Sequence, residues 1–174
     1  IYPFAFPGKS DWNIPHNFAP WIWSAGGDFI AKENGIWQSK LMSENTVIGI
    51  RRYIGFVLDS LINPATLKEN TAQVTGRFNN GEQVFSINTS EVIMQTRVSE
   101  AEGGTMNSRI GQEGIVTFPI PEGQMGSIAF IGGSNLALPR AKAKDSRALK
   151  LLLFLTRADN LDKYTRKIGF LPPD

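Results

Sequence analysis

Short apolar runs alternate with amphipathic helical segments along this chain, and that alternation constrains its fold more than any other feature. The runs at 84–87, 115–119 and 128–131 have the length and composition of short strands, whereas apolar residues recur at helical spacing between Val47 and Leu61. Strands alternating with helices indicate the α/β class. At 174 residues, the chain can bury the core of one domain, or of one domain and part of another.

Capping and breaking residues place the helices. Pro15 opens a helix that runs to about Ser24 and stops at Gly26-Gly27, and Asn13 is its candidate cap. Ser43 caps the clearest helix, which the Asn63-Pro64 pair ends. Further helices are predicted at 71–79, at 89–98, at 146–155 after the cap Asp145, and from Asp159 to Gly169. Weaker strands are predicted at 2–6 and 136–138, a turn at 32–35 and a polar loop at 100–113.

Composition excludes several classes of function. The net charge of +2 is too small to indicate a nucleic-acid partner, and no apolar run reaches the length of a membrane span. The chain has no cysteine and one histidine, so thiolate chemistry and thiolate metal sites are excluded. Neither a nucleophile elbow nor a phosphate-binding glycine loop is present. We therefore expect no enzyme activity, no metal and no cofactor.

A cluster of tryptophans marks the candidate binding region. Trp12, Trp21 and Trp23 lie within twelve residues, with His16 and Asn17 between them. An indole face packs well against the C–H face of a sugar ring, and amide and imidazole groups can satisfy its hydroxyls. Helical spacing assigns Trp21 to the core and Trp23, with His16, to another face, so Trp23 is the better ligand candidate.

Several motifs, in this order, resemble a known family. They are Pro15-His16-Asn17-Phe18 leading to Gly26-Gly27-Asp28, Phe78-Asn79-Asn80-Gly81-Glu82 before a strand, and Gly132-Gly133 before Leu136-Ala137-Leu138-Pro139. The helical stretch 146–155 and the Gly-x-x-Pro stop after it continue the similarity. The chain resembles the extracellular solute-binding proteins of bacterial ABC importers, most closely the sugar-binding group that includes maltose-binding protein.

The resemblance implies a periplasmic-binding-protein-like architecture of two α/β lobes with the ligand in the cleft between them. Residues 1–133 would form the second lobe, with a short mixed sheet flanked by helices and a hinge strand. Residues 134–174 would carry the hinge return and C-terminal helices, which normally pack partly on a first lobe that this chain lacks. The apolar helix at 146–155 would then fold back on its own lobe or pair with another copy in a domain-swapped dimer.

The resemblance also implies which residues contact the ligand. His16 falls where the family places an aromatic sugar contact, with Asn17 beside it. Ser90 and Glu91 fall at a second cleft position, where glutamate favours hydrogen bonds to hydroxyls over stacking. Gly132 and Gly133 fall where the backbone approaches the ligand, and Asn135 offers an amide. Trp12 and Trp23 complete the candidate set, and Asp28 is either a contact or a structural cap.

The function so implied is capture of a sugar or oligosaccharide and its delivery to ABC permease subunits. The protein would be periplasmic or extracellular, with a lipoprotein anchor in its full-length form. Three alternatives stay open: a non-sugar solute on the same scaffold, a receptor-signalling interaction module, and a glycan-cleaving enzyme built on Asp28 and Glu91. A phosphate ligand would need arginines near the cleft, for which Arg97 and Arg109 are the candidates.

Overall fold

A computed structural model describes residues 1–9, 14–102, 104, 106, 109–133 and 135–171. Two compact units divide the chain: unit 1 comprises Ile1–Ile87 and Ser108–Phe130, and unit 2 comprises Asn88–Asn107 and Ile131–Asp174. The described elements are α1 (Ile14–Ser24), β1 (Ile30–Glu33), β2 (Ile36–Ser39), α2 (Glu44–Leu58), α3 (Thr71–Asn79), α4 (Glu91–Gln95), α5 (Arg109–Glu113), α6 (Ser146–Leu155) and α7 (Ala158–Ile168). Single 3-10 turns lie at Pro64–Lys68, Glu100–Glu102 and Arg140–Lys142.

The α/β class is confirmed, with a small antiparallel sheet formed by β1 and β2. Asn34 and Gly35 connect the two strands, both with positive φ, of 51° and 82°. That backbone geometry matches the right-handed twist of a hairpin, and asparagine and glycine adopt it most readily. The predicted turn is therefore confirmed at Asn34-Gly35, whereas Lys32 and Glu33, which were predicted to belong to it, lie in β1, and the sequence pattern did not reveal the two strands.

The other predicted strands are wrong for the described residues. Segments 84–87, 115–119, 128–131 and 136–138 form no ladder, and the 2–6 segment makes only single bridges, Tyr2 with Gln83 and Phe4 with Ile62. An apolar run becomes a strand only where another strand accepts and donates its backbone hydrogen bonds. Segments 115–119, 128–131 and 136–138 have no such partner among the described residues, and Ile131 is 91 % accessible. Segments 2–6 and 84–87 share only two backbone hydrogen bonds, from Val84 to Tyr2 and from Phe85 to Pro3, which are too few for a ladder.

The helix predictions are mostly confirmed, with errors at the ends. α2 ends at Leu58 rather than Leu61, because Ser60 turns the chain with a φ of 57°. α4 covers only Glu91–Gln95 of the predicted 89–98, and α5 lies within the predicted loop at 100–113. The caps of the later helices match: the Asp145 carboxylate accepts the amide of Arg147, and Gly169 ends α7 with a φ of 83°.

Unit 1 has a core between α1 and α2. Gly49 permits the close approach of the two helices, since a Cβ there would lie 2.5 Å from the Cα of Ile22. The N-terminal segment adds its rings to this core: Phe6 stacks on Tyr53 at 4.4 Å, and Phe4 meets Phe56 edge-on at 4.8 Å. Burial raises the pKa of Tyr53 above its ordinary value, which keeps the hydroxyl neutral.

Unit 2 has a thinner core. α4 packs on α7 where Gly169 approaches Met94, so closely that a Cβ would lie 2.6 Å from its Cγ. Val92, Thr96 and Thr165 are buried there. Five apolar side chains of α6 remain exposed by 43–58 %: Leu149, Leu151, Leu153, Phe154 and Leu155. The division into two units does not test the assignment of residues 1–133 and 134–174 to lobes, which stays a prediction.

Candidate functional site

An aromatic cluster on one face of α1 forms the candidate site in unit 1. His16 and Trp23 are seven residues apart, which puts them two turns apart on the same helix face. The ring of Phe130 lies at 4.0 Å from the ring of His16 and at 6.1 Å from that of Trp23, with interplanar angles of 26° and 13°. His16 and Trp23 are half-buried, and Phe130 is 37 % exposed, so the cluster presents ring surface to solvent.

The indole of Trp23 is held in place by contacts with Asp28 and Phe29. Its Nε1 donates to Asp28 Oδ1 at 3.2 Å, and the same oxygen accepts the amide of Phe29 at 2.8 Å. The ring of Phe29 meets the indole edge-on at 5.9 Å. Asp28 therefore acts as an anchor for the orientation of Trp23, and its second candidate role, a ligand contact, stays a prediction.

The turn that carries Asp28 is clamped by one buried threonine. Thr46 Oγ1 donates to the carbonyl of Asp28 at 2.9 Å and accepts its amide at 3.0 Å. A Cβ at Gly27 would lie 2.5 Å from Thr46 Cα, so only glycine permits this approach. The Gly26-Gly27 turn, which was predicted to end α1, therefore also holds Asp28, the hydrogen-bond partner of Trp23, against α2.

Phe130 reaches the cluster because the segment before it packs on the end of α1. The amide of Met125 donates to the carbonyl of Ser24 at 2.9 Å. A Cβ at Gly123 would lie 2.4 Å from the same oxygen, so a side chain at that position would prevent the contact. The turn between Gly123 and Gly126 closes through Gly126, whose φ is 90°.

Two further candidate ligand contacts, Asn17 and Trp12, lie in or next to α1. Asn17 is 3 % exposed, which leaves almost no surface for a ligand, so its role stays a prediction. Trp12, like the predicted cap Asn13, lies outside the described residues. Trp21, which helical spacing assigned to the core, is half-buried and packs edge-on against Phe56 at 5.0 Å.

The remaining candidates lie in unit 2. Ser90 and Glu91 form the start of α4, both half-buried, and Glu91 lies beside the Gly169 turn that ends α7. Gly132, Gly133 and Asn135 lie in exposed, irregular backbone, and a Cβ at Gly133 would meet nothing within 4 Å. The structure therefore groups the candidates into two sets, one in each unit, and their joint role in one cleft stays a prediction.

The chemistry available at the aromatic cluster is recognition by ring surface. Within the described ranges, no three histidine or acidic side chains come together in a way that could hold a metal ion. In the same part of the chain, no helix combines the length and the apolar character needed to cross a membrane. Stacked rings with a fixed indole suit a ligand that has an apolar face and a polar rim.

Phe130 and Phe29 belong to the site but were not predicted. Phe29 follows the Gly-Gly turn directly, and an aromatic residue next to that turn was the available signal. Phe130 was interpreted as part of a strand at 128–131, and nothing in the local pattern connects it with His16, which lies more than a hundred positions earlier. Only the packing of the 123–126 turn on α1 brings them together.

Comparison with known proteins identifies the family to which the chain belongs. The model of the bacterial extracellular solute-binding protein family matches residues 21–174, which is most of the chain. A search of curated proteins finds no match. The matched range includes Trp23, Asp28, Thr46 and Phe130, together with all of unit 2. By this match the chain belongs to the family of bacterial extracellular solute-binding proteins.

Proposed function

We propose that this chain is one lobe of a solute-binding protein that captures a sugar or oligosaccharide for an ABC permease and has no catalytic activity of its own. The observation that carries the proposal is the half-exposed cluster of Trp23, His16 and Phe130 in a member of this family. The protein works outside the cytoplasmic membrane, and its full-length form carries a lipoprotein anchor.

The cluster suits a sugar because its orientation is fixed before the ligand arrives. The hydrogen bond from Trp23 to Asp28 and the packing of Phe29 hold the indole in one position. A ring already held in place loses little side-chain entropy on binding, so more of the stacking free energy becomes affinity. His16, at the edge of the cluster, can hydrogen-bond to a hydroxyl at the rim of the sugar.

The proposed ligand cleft needs a second wall, which we assign to a first lobe of the same protein. Exposed apolar side chains support this assignment: those of α6, and Val116, Phe118 and Ile131 in the strand-like runs without a ladder. A first lobe would cover these side chains and supply strands for the hinge. Ser90, Glu91, Gly132, Gly133 and Asn135 would then add polar groups to the closed cleft, whose closure signals to the permease.

Calorimetry with a panel of mono- and oligosaccharides on the full-length protein tests the proposal. We expect one class of sugar to bind, and Trp23→Ala to weaken that binding at least tenfold, since it removes the fixed ring. The matched control is Trp37→Ala, because Trp37 is also a partly accessible tryptophan but lies on the β1–β2 hairpin.

Two results would contradict the proposal. One is silence against every sugar together with binding of a peptide or an ion, which would assign another solute to the scaffold. The other is an equal loss of sugar affinity in the Trp23 and Trp37 variants, which would remove the α1 cluster from the site. Uptake of the bound sugar by cells that carry the cognate permease then tests delivery.

A further inference from the structure

A shallow depression in unit 1, which we call the α2 groove, lies along α2 beside Trp21 of α1. It has a volume of about 550 Å³, and its lining includes Trp21, Arg51, Arg52, Gly55, Phe56 and Asp59. The depression is largely open to solvent, so a ligand bound there would stay partly exposed. The rings of Trp21 and Phe56 form its apolar part, and charged side chains lie at each end.

Gly55 is not explained by packing. It lies in the interior of α2, where glycine stabilises a helix less than alanine does. A Cβ at Gly49, six residues earlier, would collide with Ile22, whereas the nearest atom to a Cβ at Gly55 is Asp59 Oδ2, at 4.0 Å. The fold therefore requires glycine at position 49 but not at position 55, where a side chain would fill the α2 groove.

Polar groups around the α2 groove lack partners among the described residues. Trp21 Nε1 is buried and has no hydrogen-bond acceptor there. Arg51 and Arg52 are exposed, adjacent like charges, and neither forms an ion pair with a described acidic residue. Asp59 caps the C-terminus of α2, the end at which the helix dipole disfavours negative charge.

A surface with these features suits a ligand that carries one positive and one negative charge. Arg52 and Asp59 are seven residues apart on α2, about 10 Å along its axis. A fully extended chain of three residues spans about the same length. We propose that the α2 groove binds a short unblocked peptide, with its carboxylate at Arg51 and Arg52, its ammonium group at Asp59 and an apolar middle side chain against Trp21 and Phe56. This site is separate from the sugar site on α1.

Titration calorimetry with the tripeptide Ala-Phe-Ala tests the proposal on the full chain. N-acetylation or C-amidation of the peptide should each weaken binding about tenfold, since each removes one charge-assisted contact. Asp59→Asn should weaken binding of the free peptide and leave the N-acetylated peptide unchanged. The double variant Arg51→Gln/Arg52→Gln should weaken binding of the free peptide and leave binding of the C-amidated peptide unchanged.

Steric blocking gives a second, independent measurement. Gly55→Leu should abolish binding, because the new side chain fills the α2 groove. Gly76→Leu is the matched control: Gly76 lies in α3, and nothing lies within 4 Å of a Cβ there. Both substitutions favour helix, so both variants should fold. Trp23→Ala should leave peptide binding unchanged, which separates this site from the sugar site.

The proposal is overturned if Ala-Phe-Ala gives no heat of binding, or if capping either terminus leaves its affinity unchanged. It is equally overturned if the Gly55 and Gly76 variants bind the peptide alike, because binding would then take place elsewhere on the chain.

Discussion

Unit 1 and unit 2 differ in how much of their apolar surface they bury. Nearly all the buried apolar side chains of the described residues belong to unit 1, among them Phe6, Ile22 and Ile62. Unit 2 contributes Val92, while its α6 leaves five large apolar side chains exposed. Because burial of apolar surface is the main favourable term in folding, we expect the core of unit 1 to contribute more to stability than that of unit 2.

The largest test of this comparison is one substitution made in both units. Ile22→Ala in unit 1 should lower the free energy of unfolding by about 3 kcal/mol, because Ile22 is fully buried and the change leaves a cavity. Ile131→Ala in unit 2 should change it by less than about 0.5 kcal/mol, since Ile131 lies in solvent. Denaturant unfolding followed by circular dichroism measures both changes in the free energy of unfolding. Equal losses in the two variants would contradict the difference between the units.

Buried threonines give the next test. Thr46→Val should cost about 2 kcal/mol, because it leaves the amide and the carbonyl of Asp28 without their buried partner. In unit 2, Thr165→Val should be close to neutral, since the Thr165 hydroxyl donates to carbonyls of its own helix, those of Leu161 and Asp162. A Thr165 variant as unstable as the Thr46 variant would show that unit 2 is more tightly packed than its exposed side chains indicate.

Acid should weaken unit 1 through one ion pair. Two hydrogen bonds from Arg77 hold the pKa of Glu69 below its ordinary value near 4.5. A carboxyl whose pKa is lower in the folded state contributes stability above the unfolded pKa and loses it as pH falls through the folded pKa. Glu69→Gln should therefore be less stable at pH 7, by up to about 1 kcal/mol, and the difference from the parent should shrink as pH falls through the folded pKa of Glu69.

The matched variant in unit 2 is Asp162→Asn, which breaks a more exposed pair with Arg166. We expect a smaller loss from it at pH 7, because solvent screens the pair more strongly. Unfolding curves recorded between pH 7 and pH 3 compare the two variants. A difference in stability between Glu69→Gln and the parent that does not shrink as the pH falls would contradict the role of this carboxyl.

The smallest effect on stability is expected on α6. Leu151→Gln combined with Leu153→Gln should change the free energy of unfolding by less than about 0.5 kcal/mol, because both side chains are more than half exposed. The same pair should reduce association with a first lobe or a second copy, measured by light scattering. A monomeric parent chain whose α6 amides resist hydrogen exchange would show instead that the helix folds back on its own unit.

Helices and turns were largely predictable from the sequence because their signals are local. Asp145, Gly169 and the Gly26-Gly27 pair each act within one turn of their own position, and the structure confirms them. The strands predicted at 115–119 and 128–131 are wrong, because a strand depends on a partner strand and the local pattern does not show whether one is present. α5 was missed because a single turn has too few residues to show a periodic pattern.

The candidate site likewise combines features that local sequence signals predict with contacts that depend on distant segments. His16 and Trp23 were predicted on one face of α1 because helical spacing alone puts them there. The contact of Trp23 with Asp28 depends on the geometry of a glycine turn, and that with Phe130 depends on packing between distant segments. No property of residues 128–131 in the sequence indicates which helix they will meet.

The stacking of Phe130 on His16 also determines when the cluster can form. The contact closes a loop of more than a hundred residues, and the entropy lost on closing a loop rises with its length. The hairpin and the α1–α2 pair need much shorter loops, so they can form while the chain is still being synthesised. The ring surface on α1 is therefore completed late, after segment 123–130 has been made and has packed on the end of α1.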